Sequence, residues 1–382
     1  MNVLIYCPYI SGHFLEYINH IYHVCIRHEE NKYIFVLHPD FVKVKERMTW
    51  MHHNGNISFD YLTTSELASS ITGNLFKASF NTAKYIGRKV KHHNAQKVFL
   101  PLLISATPFM PLFVSSRVKV SGIIYMIYLY RLVNASFRFK LLNKLKYLVF
   151  TKFNVFDNVL ILNDQKSVDS LNRIYGVTKF KYIPDPYIPL PANQSNRIRT
   201  QYNFSSNDKL YIHIGAMNEN KGSKEILLSL IDMDTEDLAN KVFFFAGKVE
   251  NEIKEDFYQL FDKVRKKARI ELIDDFCSFE LFGQLCQECD AIIIPYKRTS
   301  QSSGIIGYAS QFGKPVIGPE SGLLGNLIKE YKLGIALREI SSENLIKAYK
   351  MIEEGSYEKP NNFYCSQHTI KSFQDVIEGC VS

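Results

Sequence analysis

The sequence predicts an α/β protein made of two Rossmann-like, doubly wound domains that face a central cleft. Short apolar runs alternate with segments of helical periodicity almost from one end of the chain to the other. The 382 residues exceed what one ordinary core of about 150 residues accommodates, so more than one domain is expected. Prolines at positions 184, 186, 189 and 191 interrupt the alternation and indicate a linker.

Seven apolar runs in the first half have the length and composition of buried strands. They cover residues 3–6, 33–37, 57–61, 97–104, 121–128, 158–162 and 180–183. Apolar residues recur at helical spacing over residues 14–25 and 139–150. The longest uncharged stretch, residues 98–116, contains three prolines that would break a lone spanning helix, so no transmembrane segment is expected.

The second half repeats this alternation. Its predicted strands cover residues 210–214, 242–246, 270–273, 291–295 and 315–318, with helices at 223–231 and 253–268 among them. The expected domains are residues 1–190 and 200–358, and residues 359–382 are expected to form a C-terminal helix that packs back toward the first domain. Ligands of open α/β sheets bind outside the carboxyl ends of the strands, so the loops that follow strands are the candidate sites.

Charge is distributed unevenly between the two halves. Residues 1–190 carry a net charge of +12 and the remainder −4, and no Asp or Glu occurs between Glu66 and Asp157. This asymmetry indicates an anionic partner for the first domain. No RRM, KH or helix-turn-helix signature accompanies the basic window, so a nucleic-acid partner is not expected. The seven cysteines are scattered and odd in number, which indicates a reducing compartment.

The loop after the strand at 210–214 combines glycines with a lysine. Gly215 allows a sharp turn, and Lys221 and Gly222 come immediately before a predicted helix, whose first amides favour anions. This pattern predicts a phosphate-binding loop. A solvated turn with an ordinary helix cap explains the same residues.

A second basic loop follows the strand at 291–295. Lys297 and Arg298 precede Ser302, Ser303 and Gly304, and an apolar helix follows. A diphosphate in this loop would meet the helix dipole, the hydroxyl groups and both cations. An ordinary N-cap with surface charges is the competing interpretation.

The third loop follows the first strand and contains Gly12, His13 and Glu16. His13 and Glu16 are three residues apart, so they share one face near the start of the predicted helix. The spacing is not that of a G-x-G-x-x-G motif. The position at a carboxyl-end loop favours a role in ligand binding, and a structural role for the histidine stays open.

Residues 210–337 resemble the nucleotide-sugar domain of retaining GT-B glycosyltransferases, notably family 4 (group 1). The matching segments are, in order, GAMNENKGSKEIL, FFFAGK and CDAIIIPYKRTSQSSGIIGYASQFGKPVIGPESGLLGNLI. The order of strand, basic loop, Ser-Gly, helix and Gly-Lys-Pro-Val-Ile carries the resemblance more than any single motif. The first half is similar only through the Gly12 loop and the order of its strands.

The resemblance implies that the two domains clamp a nucleoside-diphosphate sugar. Lys221 would bind the diphosphate and serve catalysis together with His13, and Glu16 would contact the acceptor. The other expected donor contacts are Gly12, Gly215, Phe276, Arg298, Ser302, Ser303, Gly304 and Tyr308. No metal and no other cofactor is expected, because the lysine and the helix dipole neutralise the leaving diphosphate.

Three positions depart from the family pattern. Ala216 occupies the position of an arginine often paired with the lysine, and Ser300 and Tyr308 occupy the positions of two glutamates. Tyr308 offers the ribose at most one phenolic oxygen. With Thr299 and Gln301, the loop is similar to a divergent subset that lacks the glutamate pair.

The predicted function is transfer of a sugar, with retention, to a glycan or lipid-linked glycan acceptor in surface polysaccharide biosynthesis. The alternative is a catalytically inactive pseudo-glycosyltransferase that binds nucleotide or glycan for a partner. A nucleotide-sugar epimerase on the same fold would not need the basic first domain. The expected location is the cytoplasm, with peripheral attachment of the basic domain to the anionic inner face of the membrane.

Overall fold

The structure is a computed structural model that describes residues 1–10, 13–45, 55–125, 130, 136–191 and 197–382. The chain forms two compact units. The first unit comprises Met1–Pro186 and Ile370–Ser382, and the second comprises Tyr187–Thr369.

The first unit contains a seven-stranded parallel sheet with the order β3-β2-β1-β4-β5-β6-β7. The strands are β1 Asn2–Cys7, β2 Lys32–Leu37, β3 Ile57–Tyr61, β4 Lys97–Leu100, β5 Lys119–Ile124, β6 Phe156–Leu162 and β7 Phe180–Ile183. β1 pairs with β2 on one side and with β4 on the other. The strand order therefore reverses between β1 and β4, and this point is where open α/β sheets form a crevice.

Helices surround this sheet. They are His13–Cys25, Phe41–Lys45, Thr64–Ile71, Leu75–His92, Met110–Phe113, Phe137–Lys152, Gln165–Tyr175 and Ile370–Val381, with a 3-10 turn at Leu103–Ala106. The C-terminal helix Ile370–Val381 packs on His13–Cys25, where the rings of Phe373 and Tyr17 lie 4.9 Å apart. Glu378 of the same helix lies 2.6 Å from Nε2 of His28. The last residues of the chain thus belong to the core of the first unit.

The second unit contains a six-stranded parallel sheet with the order β10-β9-β8-β11-β12-β13. The strands are β8 Lys209–Ile214, β9 Lys241–Ala246, β10 Arg269–Ile273, β11 Ala291–Ile293, β12 Val316–Pro319 and β13 Gly334–Leu337. β9 is buried along its whole length. Its continuously apolar sequence is typical of a parallel strand that is covered on both faces.

The helices of the second unit lie on both faces of this sheet. They are Arg197–Gln201, Ser223–Asp232, Thr235–Leu238, Lys254–Arg265, Phe279–Glu288, Ile305–Phe312, Gly322–Glu330, Ser342–Glu354 and Phe363–Gln367. A 3-10 turn at Glu219–Lys221 precedes the first long helix. Among the helices of the described ranges, none combines the length and apolar character needed to cross a membrane.

The predicted fold class is confirmed, and each predicted strand has a counterpart in the two sheets. The run at 97–104 was predicted too long, because Pro101 has no N–H to extend the ladder and the chain turns after Leu100. The run at 121–128 begins earlier, at Lys119, and ends at Ile124, and residues 126–129 lie outside the described residues. The four-residue strand β13 was not predicted.

Candidate functional site

The candidate site lies at the carboxyl edge of the second sheet, where the strand order reverses between β8 and β11. The loop 215–222 follows β8, and the loop 294–304 follows β11. A backbone hydrogen bond of 2.9 Å from Lys297 N to Asn220 O joins the two loops. Reversal points of this kind are where doubly wound sheets bind their ligands.

A compact turn presents Lys221. The side-chain oxygen of Asn218 accepts hydrogen bonds from the amides of Asn220 and Lys221, at 3.1 Å each. Gly222 then adopts φ +71°, and a Cβ there would lie 2.1 Å from the carbonyl oxygen of Pro295. Only glycine permits this approach, which holds the lysine loop against the loop that follows β11.

His213 fixes the helix that begins after the turn. Its Nδ1 lies 2.8 Å from the carbonyl oxygen of Ile293, and its Nε2 lies 2.9 Å from Oγ of Ser223. Because a carbonyl only accepts, Nδ1 carries the proton and the Ser223 hydroxyl donates to Nε2. Burial, with a smaller effect from the Lys221 charge, lowers the pKa of His213 to about 4. The histidine is therefore neutral at pH 7 and ties β8 and β11 to the start of helix Ser223–Asp232.

The ammonium of Lys221 rests on an aromatic face. Its Nζ lies 3.8 Å from the centroid of the Tyr296 ring, and the side chain is partly buried. Within the described ranges no carboxylate lies within ion-pair distance of this ammonium. A cation held on a ring, with its charge uncompensated, is suited to bind an anion.

Lys297 differs from Lys221 in this respect. Its ammonium pairs with the carboxylates of Glu219 and Glu225, the latter at 2.6 Å. Hydrogen bonds from Lys297 and Lys224 also lower the pKa of Glu219. Carboxylates thus compensate the charge of Lys297 in this structure, and its contact with a diphosphate stays a prediction. Arg298 is exposed and has no ion pair among the described residues.

The helix Ile305–Phe312 begins beside Tyr296. The Ser303 hydroxyl lies 3.5 Å from the Tyr296 hydroxyl and 3.4 Å from the amide of Ile305. Gly304 is exposed, and a Cβ there would meet no atom within 4 Å. The first-turn amides are therefore approachable, and they favour anions. Tyr296 contacts Lys221 with its ring face and Ser303 with its hydroxyl, so it links the two loops.

The other donor contacts expected in the second unit lie around this centre. Gly215 has φ +110°, and the Cα of Gly247 comes so close that a Cβ on it would lie 2.1 Å from the Gly215 carbonyl oxygen. Phe276 follows β10 with 84% of its surface exposed. Tyr308 lies one turn into the helix Ile305–Phe312, with its ring edge-on to Phe282 at 4.7 Å. Ser302 is half-buried beside Ser303. The donor contacts of all these residues stay predictions.

The first unit carries a separate polar cluster at the carboxyl end of β1. Gly12 lies outside the described residues, whereas His13 begins helix His13–Cys25 and Glu16 follows one turn later. The Tyr17 hydroxyl donates to Asp185 at 2.6 Å, and the rings of His13 and Tyr17 lie 6.2 Å apart. Desolvation raises the pKa of Glu16, Asp185 raises it further, and His13 opposes the shift. The structure brings His13 and Glu16 together, and their roles stay predictions.

In the part of the chain that the structure describes, no group of three or more His, Cys, Asp or Glu side chains is placed to hold a metal ion. Cys286 and Cys289 are both buried and reduced. The expectation of a metal-free reaction stays a prediction.

Sequence reasoning did not identify Tyr296, Asn218 or His213 as parts of the site. Asn218 carries a local signal, since an asparagine that starts an Asn-Glu-Asn-Lys segment favours a turn closed by its side chain. His213 lies within an apolar strand, and its partner Ile293 is 80 residues away in the chain. Only the three-dimensional arrangement reveals the contacts of His213 and Tyr296.

Comparison with known proteins finds matches only among solved structures. No protein-family model matches the sequence, and no curated protein is significantly similar to it. The structure of HepE from Anabaena in complex with UDP and glucose matches with a TM-score of 0.67 and 13% identity over 98% of both chains.

Two further solved structures agree with this result. WaaG, a glycosyltransferase involved in lipopolysaccharide biosynthesis, matches with a TM-score of 0.64 and 12% identity over 100% of both chains. A glycosyltransferase from Rickettsia africae matches with a TM-score of 0.65 and 14% identity, over 100% of this chain and 93% of that one. The chain has the GT-B fold of these glycosyltransferases.

Proposed function

We propose that this protein transfers a sugar from a nucleoside-diphosphate sugar to a glycan or lipid-linked glycan acceptor, with retention of the anomeric configuration, in surface polysaccharide biosynthesis. One observation carries the proposal. The uncompensated ammonium of Lys221 lies on Tyr296 at the reversal point of the second sheet, and Tyr296 also contacts Ser303 at the start of the helix Ile305–Phe312. The HepE complex with UDP-glucose supports the choice of donor class.

The chemistry suits these groups. As the acceptor hydroxyl oxygen bonds to the anomeric carbon, the bond from that carbon to the diphosphate oxygen breaks, and negative charge grows on the leaving nucleotide. The departing diphosphate takes up the proton that the acceptor hydroxyl releases. A cation and unpaired amides bind this charge more strongly in the transition state than in the ground state, and that difference accelerates the reaction. Lys221 and the amides after Gly304 are proposed to supply this stabilisation, with exposed Arg298 assisting.

We propose that the same groups let the reaction proceed without a divalent ion. Magnesium or manganese in a glycosyl transfer would neutralise the leaving diphosphate. Here Lys221, Arg298 and the helix dipole are proposed to do so. His13 and Glu16 of the first unit are proposed to act on the acceptor side, His13 in catalysis and Glu16 in binding.

A panel of nucleotide sugars tests the proposal against its alternative. The alternative is an inactive binder, which Ser300 and Tyr308 at the glutamate positions favour. The purified protein is mixed with each donor, and both its thermal shift and the slow hydrolysis of the donor are recorded. A shift with turnover supports the enzyme, a shift alone supports the binder, and neither effect with any donor refutes both.

Peripheral attachment to an anionic membrane is proposed for the first unit. Helix Phe137–Lys152 carries Lys140, Lys144 and Lys146, and each basic residue near an anionic leaflet contributes on the order of 1 kcal/mol. Reversal of the three lysines to Glu should reduce sedimentation with anionic vesicles and leave donor binding unchanged. Equal sedimentation of the wild type with neutral and anionic vesicles contradicts the attachment.

A further inference from the structure

A polar cavity opens at the amino edge of the first sheet, where β5, β6 and β7 begin. Its volume is about 430 Å³, within the range of about 300–1,000 Å³ that is usual for small-molecule sites. All of its lining residues except Phe156 are polar or charged, which suits a polar ligand. His13 and Glu16 lie at the carboxyl end of β1, which is the opposite edge of the same sheet. The cavity is therefore distinct from the sites described above.

A β-bulge shapes the cavity at the start of β6. Two residues of β6, Asp157 and Asn158, oppose the single residue Ser121 of β5. Asn158 is buried, and its backbone and side-chain N–H groups donate to the Ser121 hydroxyl oxygen at 3.2 and 3.3 Å. Its side chain also donates to Asp157 at 2.8 Å, which orients that carboxylate. Bulges of this kind redirect side chains and occur often beside functional sites.

Three ammonium groups belong to the lining of the cavity, and their charges are uncompensated. They are those of Lys119, Lys179 and Lys181, and among the described residues none of them forms an ion pair with a carboxylate. With Asp157 in the lining, the net charge is +2. Burial lowers the pKa of Lys179, the charge of Lys119 lowers it further, and Asp157 opposes the shift. Positive charges thus repel one another in the cavity, and a bound anion would relieve the repulsion.

The lysines also keep hydrogen-bond donors free. Lys179 donates to two backbone carbonyls at the end of helix Phe137–Lys152, at 2.9 and 3.3 Å, which leaves one of its three N–H groups. Lys119 has one contact of 3.5 Å, to a backbone carbonyl. Lys181 is exposed and has no hydrogen bond among the described residues. Lys119 and Lys181 can therefore supply most of the donors to an anion, and Lys179 one more.

We propose that this cavity binds a small phosphate monoester that carries hydroxyl groups, of the sugar-phosphate class. The ammonium groups match a phosphate that is close to doubly charged at pH 7 and offers three acceptor oxygens. A carboxylate only accepts hydrogen bonds, so Asp157 is suited to a ligand hydroxyl and excludes a second anionic group. Hydroxyl groups of Ser116 and Thr178 also line the cavity. Because Lys221 belongs to the other unit, the ligand should not compete with a nucleotide sugar.

The first experiment is titration calorimetry with ribose 5-phosphate, with ribose as the uncharged comparison. The phosphate should bind saturably and ribose should not. Lys119→Gln/Lys181→Gln should weaken binding at least about tenfold, since each lysine gives a charge-assisted hydrogen bond. Lys77→Gln/Lys91→Gln removes the same charge from exposed positions of helix Leu75–His92 and should bind like the wild type. Unchanged affinity of the Lys119→Gln/Lys181→Gln protein overturns the proposal, and so does a wild type that does not bind.

Lys221→Ala separates this site from the proposed donor site. That variant should keep its affinity for ribose 5-phosphate, and loss of all binding in it would assign the signal to the second unit and overturn the proposal. Thermal shift with the nucleotide sugar on the Lys119→Gln/Lys181→Gln protein should equal that of the wild type. Failure of the cavity and failure of the proposed transferase thus give different results.

A second experiment changes the affinity in the opposite direction. Asp157→Asn removes a negative charge from the lining and should strengthen binding of inorganic phosphate at least about threefold. Lysines that serve only to hold backbone carbonyls would leave this affinity unchanged or absent, which contradicts the site. Glycerophosphoinositol, a phospholipid headgroup without its chains, is a singly charged diester and should bind at least about fivefold more weakly than ribose 5-phosphate. Tighter binding of the diester would assign the cavity to a lipid headgroup and overturn the choice of a soluble monoester.

Discussion

Replacement of Lys221 by Ala is the sharpest test of the proposed donor site, because the ammonium of Lys221 lies on the Tyr296 ring where the two loops of the site meet. Lys297, the lysine of the neighbouring loop, is engaged by Glu219 and Glu225. Two unit charges 4 Å apart interact with about 4 kcal/mol at an effective dielectric constant of about 20. Loss of one electrostatic donor to a developing anion costs about 2.7–4 kcal/mol in comparable enzymes. Lys221 is only partly buried, so we expect the lower end, a loss of about a hundredfold in turnover.

The folded state should survive this change. The contact of Lys221 with Tyr296 contributes about 0.5–1 kcal/mol to stability if it behaves like other exposed cation–π pairs. A small decrease in melting temperature is therefore expected, and the loss of activity can be assigned to the site. Lys221→Arg keeps the charge and should recover part of the rate.

The assay is the initial rate of nucleotide release from the donor that the panel selects. Lys248→Ala provides a control, since Lys248 lies in the loop after β9 and its side chain is 62% exposed beside Asp274. Its rate should stay within about twofold of the wild type, as for most surface substitutions. A folded Lys221→Ala protein that turns over like the wild type refutes the diphosphate assignment.

Three other predictions concern the metal, the backbone and pH. Activity should be complete in EDTA, and activity abolished by EDTA and restored by manganese or magnesium contradicts the site. Gly222→Ala should lower the free energy of unfolding, measured in urea, by at least about 2 kcal/mol, because the added Cβ meets the Pro295 carbonyl. Gly304→Ala should leave the free energy of unfolding nearly unchanged, because its Cβ would meet no atom. The pKa of His213 is about 4 when folded and 6.5 in its ordinary state, so the unfolded chain binds more protons below pH 6.5 and stability falls as pH decreases toward 4. Between pH 7 and pH 5 this linkage lowers the free energy of unfolding by about 2 kcal/mol. Urea unfolding at both pH values should show that this loss is absent from the His213→Gln protein.

Much of the second unit could be predicted because its signals are local. The sequence of β9 is continuously apolar from Val242 through three phenylalanines to Ala246. A parallel strand requires this character when helices cover both of its faces. Gly215 follows the end of a strand, and Gly304 precedes the start of a helix. The loops that meet at the reversal point could be named in advance for the same reason.

Which lysines are paired with carboxylates could not be predicted, because the pairing depends on contacts between distant residues. Lys297 and Glu219 are 78 residues apart in the chain, and no periodicity relates them. In the sequence, Lys221, Lys297 and Arg298 are equivalent basic residues beside turns. The structure separates them, with Lys297 paired and Lys221 placed on Tyr296.

The pairing of Lys297 also explains how Lys221 keeps its charge available. Glu219 lies two residues before Lys221 on the same turn, and Glu225 lies one helical turn after it. Either carboxylate could otherwise compete with a diphosphate for the ammonium, and the competition would weaken donor binding. Lys297, held in place by its backbone bond to Asn220, pairs with one oxygen of each carboxylate, and Lys224 pairs with the other oxygen of Glu219. The basic loop after β11 thus contributes to the proposed anion site through a lysine that need not touch the anion.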